Sequence, residues 1–423
     1  MIKKMTENVF RVLLGFAAVL LLSDVSGQQL IIEPDIGSGI YKIGETVEWT
    51  IKRGEESFLD TVRYKLKDGG LIAIDSGELV LGHGPAQVQY TFGRPGTVLL
   101  DVRWGAEPSW RNKAVGGAVA SPEKLVLSAI RPPDFDEFWE LKLKELQSTP
   151  SNPVLEKGIS EKPGIDYWKI TMNNIRGSKI QGQLARPVGN QKLPAMLIVQ
   201  WAGVYPLNKE WAINRAEKGW LVLNINPHDL PINMEEEFYK EQSQGNLKNY
   251  AAIGNDNRET SYFLRMYLSC YRAAQYLTER SDWNGETLVV MGDSQGGQQT
   301  LMTAGFHPAI TAAMALVPAG FDMLGPEIGR KGGWPQWYSS VGDKDPQKVY
   351  EASRYFDVAN FVTRIKCPIL VGVGLLDETC PPEGILSAMN QVTAPKDIMI
   401  RDRCKILCFC DQLLIVKIFE VFL

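Results

Sequence analysis

From about residue 30 to 128 the hydrophobic positions come in short runs broken by turn residues. Residues 47–51, 61–66, 71–74, 86–92 and 97–104 are rich in β-branched and aromatic side chains, which suit a pleated, half-buried surface. Asp68-Gly69-Gly70, Gly82-His83-Gly84 and Arg94-Pro95-Gly96 punctuate them. Short strands with regular turn signals predict a small all-β sandwich of immunoglobulin-like kind over residues 28–128. Two uses suit such a module: a carbohydrate- or partner-binding domain, or a spacer.

The pattern changes after a linker with paired prolines at 129–133. Residues 135–147 place Phe135, Phe138, Trp139, Leu141 and Leu146 near helical spacing, so they read as a helix with one apolar face. From Tyr167 strand-like and helix-like stretches alternate. Residues 167–172 and 179–184 suit an antiparallel pair. Then come strands at 195–201, 220–225, 288–291, 312–317 and 368–373, with helices at 209–218, 261–278 and 295–305. Alternating strands and helices predict an α/β domain over 129–400, a mostly parallel sheet with helices on both faces.

One junction in that domain carries chemistry. The apolar strand 288–291 runs into Gly292-Asp293-Ser294-Gln295-Gly296, which fits G-x-S-x-G, the nucleophile elbow. The two glycines let backbones approach without a Cβ clash. The turn holds the Ser294 hydroxyl above the sheet at a helix N-terminus, where the Gln295 N–H can face a developing oxyanion. An ordinary glycine-rich turn is the plainer alternative.

In such a sheet, ligands bind beyond the carboxyl ends of the strands. Asp377 follows the strand 368–373, where the acid of a Ser…Asp…His order belongs; a helix N-cap before Pro381-Pro382 is its other reading. Gln200-Trp201-Ala202-Gly203 follows another strand, and the Gly203 N–H is the candidate second oxyanion donor. Gly333-Trp334-Pro335-Gln336-Trp337-Tyr338 clusters aromatics. Trp334 and Trp337 there either stack on sugar rings or fill core.

Composition narrows the field. The chain has 423 residues, 44% hydrophobic and 22% charged, with a net charge of −4. That balance gives no reason to expect nucleic acid or an anionic membrane as partner. None of the six cysteines precedes Cys270, which excludes a disulfide framework. Cys404, Cys408 and Cys410 lack a sensibly spaced fourth ligand, so no metal is expected. No phosphate-binding loop or dinucleotide fingerprint occurs, and Glu235-Glu236-Glu237 reads as a solvated face or loop. Lys3, Lys4 and Arg11 precede the apolar run 12–22, and Val25-Ser26-Gly27 offers small residues for cleavage. Residues 1–27 therefore read as a signal peptide of a secreted or periplasmic protein, an uncleaved anchor being the alternative.

Residues 261–297, with Tyr262, Tyr267, Cys270 and Arg272 before Gly-Asp-Ser-Gln-Gly-Gly, resemble the acetyl xylan esterase/cephalosporin-C deacetylase carbohydrate esterases. The Leu-Leu-Asp-x-x-Cys-Pro-Pro loop around Asp377 and the Gly-Trp-Pro at 333–335 agree. The likeness runs from about Pro132 to Ile400. It implies an α/β-hydrolase fold and a serine mechanism without metal or cofactor. Its implied reaction is release of acetate from acetylated sugars, with an acetylated carbohydrate as partner and assembly into a homo-oligomer open. It also implies Ser294 as nucleophile, Asp377 as acid and the Gln295 N–H as oxyanion donor. A non-catalytic carbohydrate-binding paralogue, or a peptidase or broad esterase on the same fold, are the rival functions.

Two departures stand out. The family's Arg-Gly-Gln segment is replaced by Pro227-His228-Asp229-Leu230-Pro231. The family's base is a histidine roughly thirty residues beyond the acid, and no histidine follows His307. Residues 401–423 do not resemble the closing elements of the fold and read as out-of-frame or divergent sequence. Of the other histidines, His83 falls in the β-domain and His307 at a helix end. His228 alone follows a strand at the active-site rim, as a substrate contact or a substitute base. Without a positioned base the serine hydroxyl stays protonated and weakly nucleophilic, so impaired turnover is expected.

Overall fold

The computed structural model describes residues 29–55, 57, 59–105 and 112–401. The expected signal segment at 1–27 and the tail after Arg401, with Cys404, Cys408 and Cys410, lie outside the described residues. Two compact units emerge. The first holds the chain up to Asp68 and Ile72–Ala120; the second holds Gly69–Leu71 and the chain from Ser121 onward.

The first unit contains β1 (Leu30–Pro34), β2 (Ile40–Tyr41), β3 (Thr46–Arg53), β4 (Thr61–Asp68), β5 (Ile72–Val80), β6 (Ala86–Thr91), β7 (Gly96–Arg103) and β8 (Lys113–Ala120). They form a three-stranded sheet, β1-β3-β6, and a five-stranded sheet, β2-β8-β7-β4-β5. Alternation along β3 sends Val47, Trp49 and Ile51 into a core shared with Val62, Leu66, Val98, Leu100 and Val102. Apolar burial of this kind is the main force holding two sheets face to face. Strand β8 was missed from sequence because Lys113–Ala120 is mostly alanine and glycine, which have weak strand preference. A Cβ at Gly116 would stand 2.9 Å from the Trp49 ring and the Ile32 side chain. The glycine is what lets the indole lie against β8.

The second unit opens with α1 (Phe135–Gln147), whose bounds match the predicted helix. Trp139 on α1 is fully buried, ringed by Phe135, Phe138, Tyr267, Phe306, Phe356 and Phe361. Then follow β9 (Val154–Gly158), β10 (Ile165–Asn173), β11 (Lys179–Pro187), β12 (Leu193–Ile198), α2 (Glu210–Ala216), β13 (Leu221–Ile225), α3 (Glu236–Gln244), α4 (Tyr262–Glu279), β14 (Trp283–Asp293) and α5 (Gln295–Phe306). β15 (Ala312–Leu316), α6 (Pro346–Ser353), α7 (Ala359–Val362), β16 (Ile369–Gly374), α8 (Pro382–Met389) and β17 (Lys396–Arg401) complete it. The acidic run at 235–237 is solvated, one of its two expected readings, and opens helix α3. Two of its carboxylates fall in the first turn, where the helix dipole favours negative charge.

The nine strands lie in the order β17-β16-β15-β14-β12-β13-β11-β10-β9. Pairs from β17 across to β13 are parallel; β11, β10 and β9 add antiparallel neighbours. Every residue of β13, β15 and β16 is buried, as expected for strands covered on both faces. The chain lays β13 on one side of β12 and β14 on the other. That reversal is a switch point, and open α/β sheets usually bind ligands beyond the strand ends there. Among the described residues no helix is long and apolar enough to cross a membrane.

Candidate active site

Ser294 stands at that switch point, between the end of β14 and the start of α5. Its φ is +53° and ψ −118°, a region that strains a residue with a side chain and persists only where the surroundings enforce it. They do: the Ser294 N–H donates to the Leu316 carbonyl at 2.9 Å, and its carbonyl accepts from Gln298 and Ala319 at 3.0 Å each. A Cβ at Gly292 or Gly296 would fall 2.6 Å from the Val199 carbonyl oxygen. Both positions of G-x-S-x-G therefore need glycine, and the glycine-rich-turn alternative gives way to a close-packed elbow. Gln295 is the first residue of α5, so its N–H is among the amides a helix start leaves without an intrahelical acceptor.

Asp377 follows β16 at the same end of the sheet, with β15 lying between its strand and β14. Two strand spacings put the two loops roughly 10 Å apart. The Asp377 Oδ1 accepts the N–H groups of Thr379 and Cys380, both at 2.8 Å. Its Oδ2 is buried and meets no hydrogen-bond donor among the described residues. Burial pushes the Asp377 carboxyl above its usual range, against the lowering pull of those two amides. Cys380 then joins the loops: its Sγ lies 3.9 Å from the Ser294 Oγ. Burial also drives the thiol pKa well above its ordinary value, so Cys380 is a neutral wall beside the serine. Sequence reasoning quoted this cysteine only as part of the loop pattern.

Gly203 departs from expectation. Its N–H, the predicted second oxyanion donor, points to the Tyr250 hydroxyl at 3.3 Å. That hydroxyl in turn donates to the Gln295 Oε1. The Gly203 carbonyl lies 2.9 Å from His228 Nε2. The Gly203 peptide is thus held at both ends, and Tyr250 ties it to the elbow. Tyr250 carried no sequence signal, because a lone tyrosine in an irregular stretch reads as packing.

His228 also changes role. Its Nδ1 is 2.6 Å from the Tyr262 hydroxyl, which itself accepts from Arg265. Tyr262 therefore gives its proton to Nδ1, and Nε2–H donates to Gly203. With the residue 1% exposed and both ring nitrogens engaged inside the fold, His228 has no ring nitrogen left to act as a base for Ser294. Burial, aided by Arg265, lowers its pKa to about 4, so the ring is neutral.

The two tryptophans part company. Trp337 is 1% exposed, and its indole N–H donates to the Ala251 carbonyl at 2.9 Å. It is core, and the sugar-contact expectation for it is withdrawn. Trp334 is half-buried against Phe263 and Tyr250. Its backbone N–H donates to the Thr379 carbonyl at 2.8 Å, so it lies against the acid loop. His307 closes the far end of the twelve-residue α5, some 18 Å along the helix from Ser294. His83 belongs to the first unit. Among the described residues of this unit, neither His228 nor His307 hydrogen-bonds the serine.

A parallel sheet with a serine on a strained strand-to-helix turn, and a carboxylate two strands away, defines an α/β-hydrolase. Relatives narrow the class. Residues 127–323 match the acetyl xylan esterase (AXE1) family, and residues 267–399 match the prolyl oligopeptidase family. The acetyl esterase Axe7A of Xylanibacter ruminicola is 32% identical over 372 residues, which span 84% of this chain and 83% of that one. Acetyl xylan esterase 1 from a Thermoanaerobacterium species superposes with a TM-score of 0.61 at 19% identity, covering 71% of this chain and 98% of its own. The acetyl xylan esterase of Paenibacillus sp. R4 gives the same TM-score and coverage at 22% identity. This chain belongs to the acetyl xylan esterase family, and by that membership is a serine hydrolase.

Proposed function

We propose that this protein is an exported esterase that removes acetyl groups from acetylated sugars or xylan through an acyl-Ser294 intermediate, at low turnover. One observation carries the reading. The elbow presents Ser294 to a loop that buries Asp377 with one carboxylate oxygen unmatched. A carboxylate in that position serves to hold an imidazole N–H and stabilise its charged form. The Ser294 Oγ attacks the ester carbonyl carbon, the Gln295 N–H receives the oxyanion, and the sugar leaves with a proton. Water then releases acetate from the serine. The acyl group follows the 32%-identical relative, whose name is acetyl esterase. The charged start of the chain and the apolar run at 12–22 support export.

Low turnover follows from the histidines. In serine proteases the loss of the base costs about 10⁶ in rate, roughly 8 kcal/mol of barrier. His228 and His307 are committed elsewhere, so Ser294 has no proton acceptor among the described residues. Added imidazole supplies one. With p-nitrophenyl acetate, imidazole should raise a rate that Ser294→Ala abolishes, and acetate should appear from acetylated xylan in parallel. Equal rates for wild type and Ser294→Ala at every imidazole concentration would leave the inactive carbohydrate-binding paralogue. Cleavage of peptide esters but not acetylated xylan would favour the peptidase-like rival.

A further inference from the structure

Of the tryptophans in this unit, Trp139, Trp220 and Trp337 are 4% exposed or less. Trp201 is 41% exposed, and it is not loosely held. Tyr205 stacks on its ring at 5.2 Å with an interplanar angle of 23°, and Trp211 on α2 meets its edge at 5.1 Å. The Tyr205 hydroxyl lies 3.0 Å from the Trp201 carbonyl and 3.3 Å from the Gln200 side-chain oxygen. A ring held by two others while 41% of the residue stays exposed is a rigid platform whose ordering cost is met before any ligand arrives.

Its place is set by the sheet. Ile198 on β12 pairs with Met291 on the adjacent parallel strand β14. Trp201 and Ser294 each stand three residues beyond that pair, on loops that leave neighbouring strands about 5 Å apart. The Gln200 carbonyl accepts from Gln299 on α5 at 2.9 Å, which pins the platform loop to the helix behind the nucleophile. A pyranose presents an apolar face of C–H groups with hydroxyls around its edge. That shape suits an open indole face with polar groups at its rim, as aromatic rings commonly do with an apolar body and a wet edge.

We propose that Trp201, backed by Tyr205 and Trp211, is a pyranose-stacking subsite that seats a xylan sugar ring beside Ser294. The placement of an acetyl group over Ser294 rests on the esterase reading above; the binding of the sugar does not. Calorimetric titration of the full chain with unacetylated xylohexaose tests it, because no turnover is needed. Trp201→Ala and Trp201→Gln should each weaken binding by about tenfold or more, the loss typical of a central aromatic anchor. Trp201→Phe, which keeps a flat ring, should stay within about threefold of wild type. Folded Trp201→Ala protein that binds like wild type overturns the proposal, and so does wild-type protein that does not bind the oligosaccharide. Either result is read without reference to the Ser294 assay, so the two ideas fail separately.

Discussion

Two buried aspartates, one in each unit, show opposite ways of keeping a charge out of water. Asp101 on β7 is 2% exposed and is met by Lys67 at 2.6 Å, Arg103 at 2.9 Å and Lys113 at 3.5 Å. Burial raises its pKa, but hydrogen bonds from Arg103 and Lys67 win and hold it at about 2. Asp377 is 4% exposed, has two backbone amides on one oxygen and, among the described residues, no donor on the other, and its pKa is raised. Side chains around Asp101 evolved to satisfy it; those around Asp377 leave one oxygen unmatched. Satisfied burial is a fold device, whereas an unmatched carboxylate at a strand end is a site held ready for chemistry.

The largest effect that tests this contrast is in the sandwich. Asp101→Asn leaves Lys67, Arg103 and Lys113 gathered around a neutral group, and breaking a buried ion cluster from one side costs about 3–5 kcal/mol. Denaturant unfolding followed by the fluorescence of the sandwich tryptophans should show that loss. The wild-type unit carries the same signature in acid. The folded-state pKa of Asp101 is depressed, so its contribution is present above the ordinary carboxylate value and is lost as pH falls through about 2. With Arg103 41% exposed and solvent screening discounted, the part lost over that window is about 1–2 kcal/mol. Unfolding midpoints that do not move between those pH values would break the contrast at its structural end.

His228 falls between the two cases, as a titratable group near the nucleophile that is fully satisfied. Its replacement by alanine strands the Tyr262 hydroxyl and the Gly203 carbonyl in a buried place, at about 2 kcal/mol. Thermal melts should register this destabilisation. If His228→Ala instead kept its stability and lost every trace of Ser294-dependent turnover, His228 would be the base and the geometry would have misled us.

The residues that announced themselves in the sequence are those whose chemistry demands a local pattern. The elbow was legible because two glycines are forced by the Val199 carbonyl at 2.6 Å. The central strands were legible because burial on both faces requires unbroken apolar runs. Asp377 was legible from its place after such a run. The parts that stayed hidden are long-range. Nothing in the sequence said that Tyr250 would bridge Gly203 and Gln295, or that Tyr262 would occupy the ring of His228. That Trp337 is buried and Trp201 exposed stayed hidden for the same reason: exposure depends on which distant rings pack alongside, and local spacing does not carry that. Strand β8 escaped because its alanines and glycines have weak strand preference, and Gly116 is there to accommodate Trp49.

The smallest effect is the one that probes Asp377 itself, and its sign is the informative part. In Asp377→Asn the side-chain oxygen still accepts from Thr379 and Cys380, while the buried charge is gone. Removing an unmatched buried charge without disturbing its hydrogen bonds should stabilise the unit by about 1 kcal/mol at neutral pH. The pH dependence runs opposite to that of Asp101. Because the folded-state pKa of Asp377 is raised, the stability linked to its protonated form is present below the ordinary carboxylate value. It is lost as pH rises through the raised one. Wild type and Asp377→Asn should therefore melt together in acid and separate towards neutrality, the variant being the more stable. The same substitution should remove the imidazole-stimulated, Ser294-dependent hydrolysis, since the carboxylate that would orient the imidazole is absent. A variant that is less stable than wild type at neutral pH would mean that Asp377 is as well satisfied as Asp101. Its loop would then be a piece of architecture, with no claim to be the acid of a hydrolase.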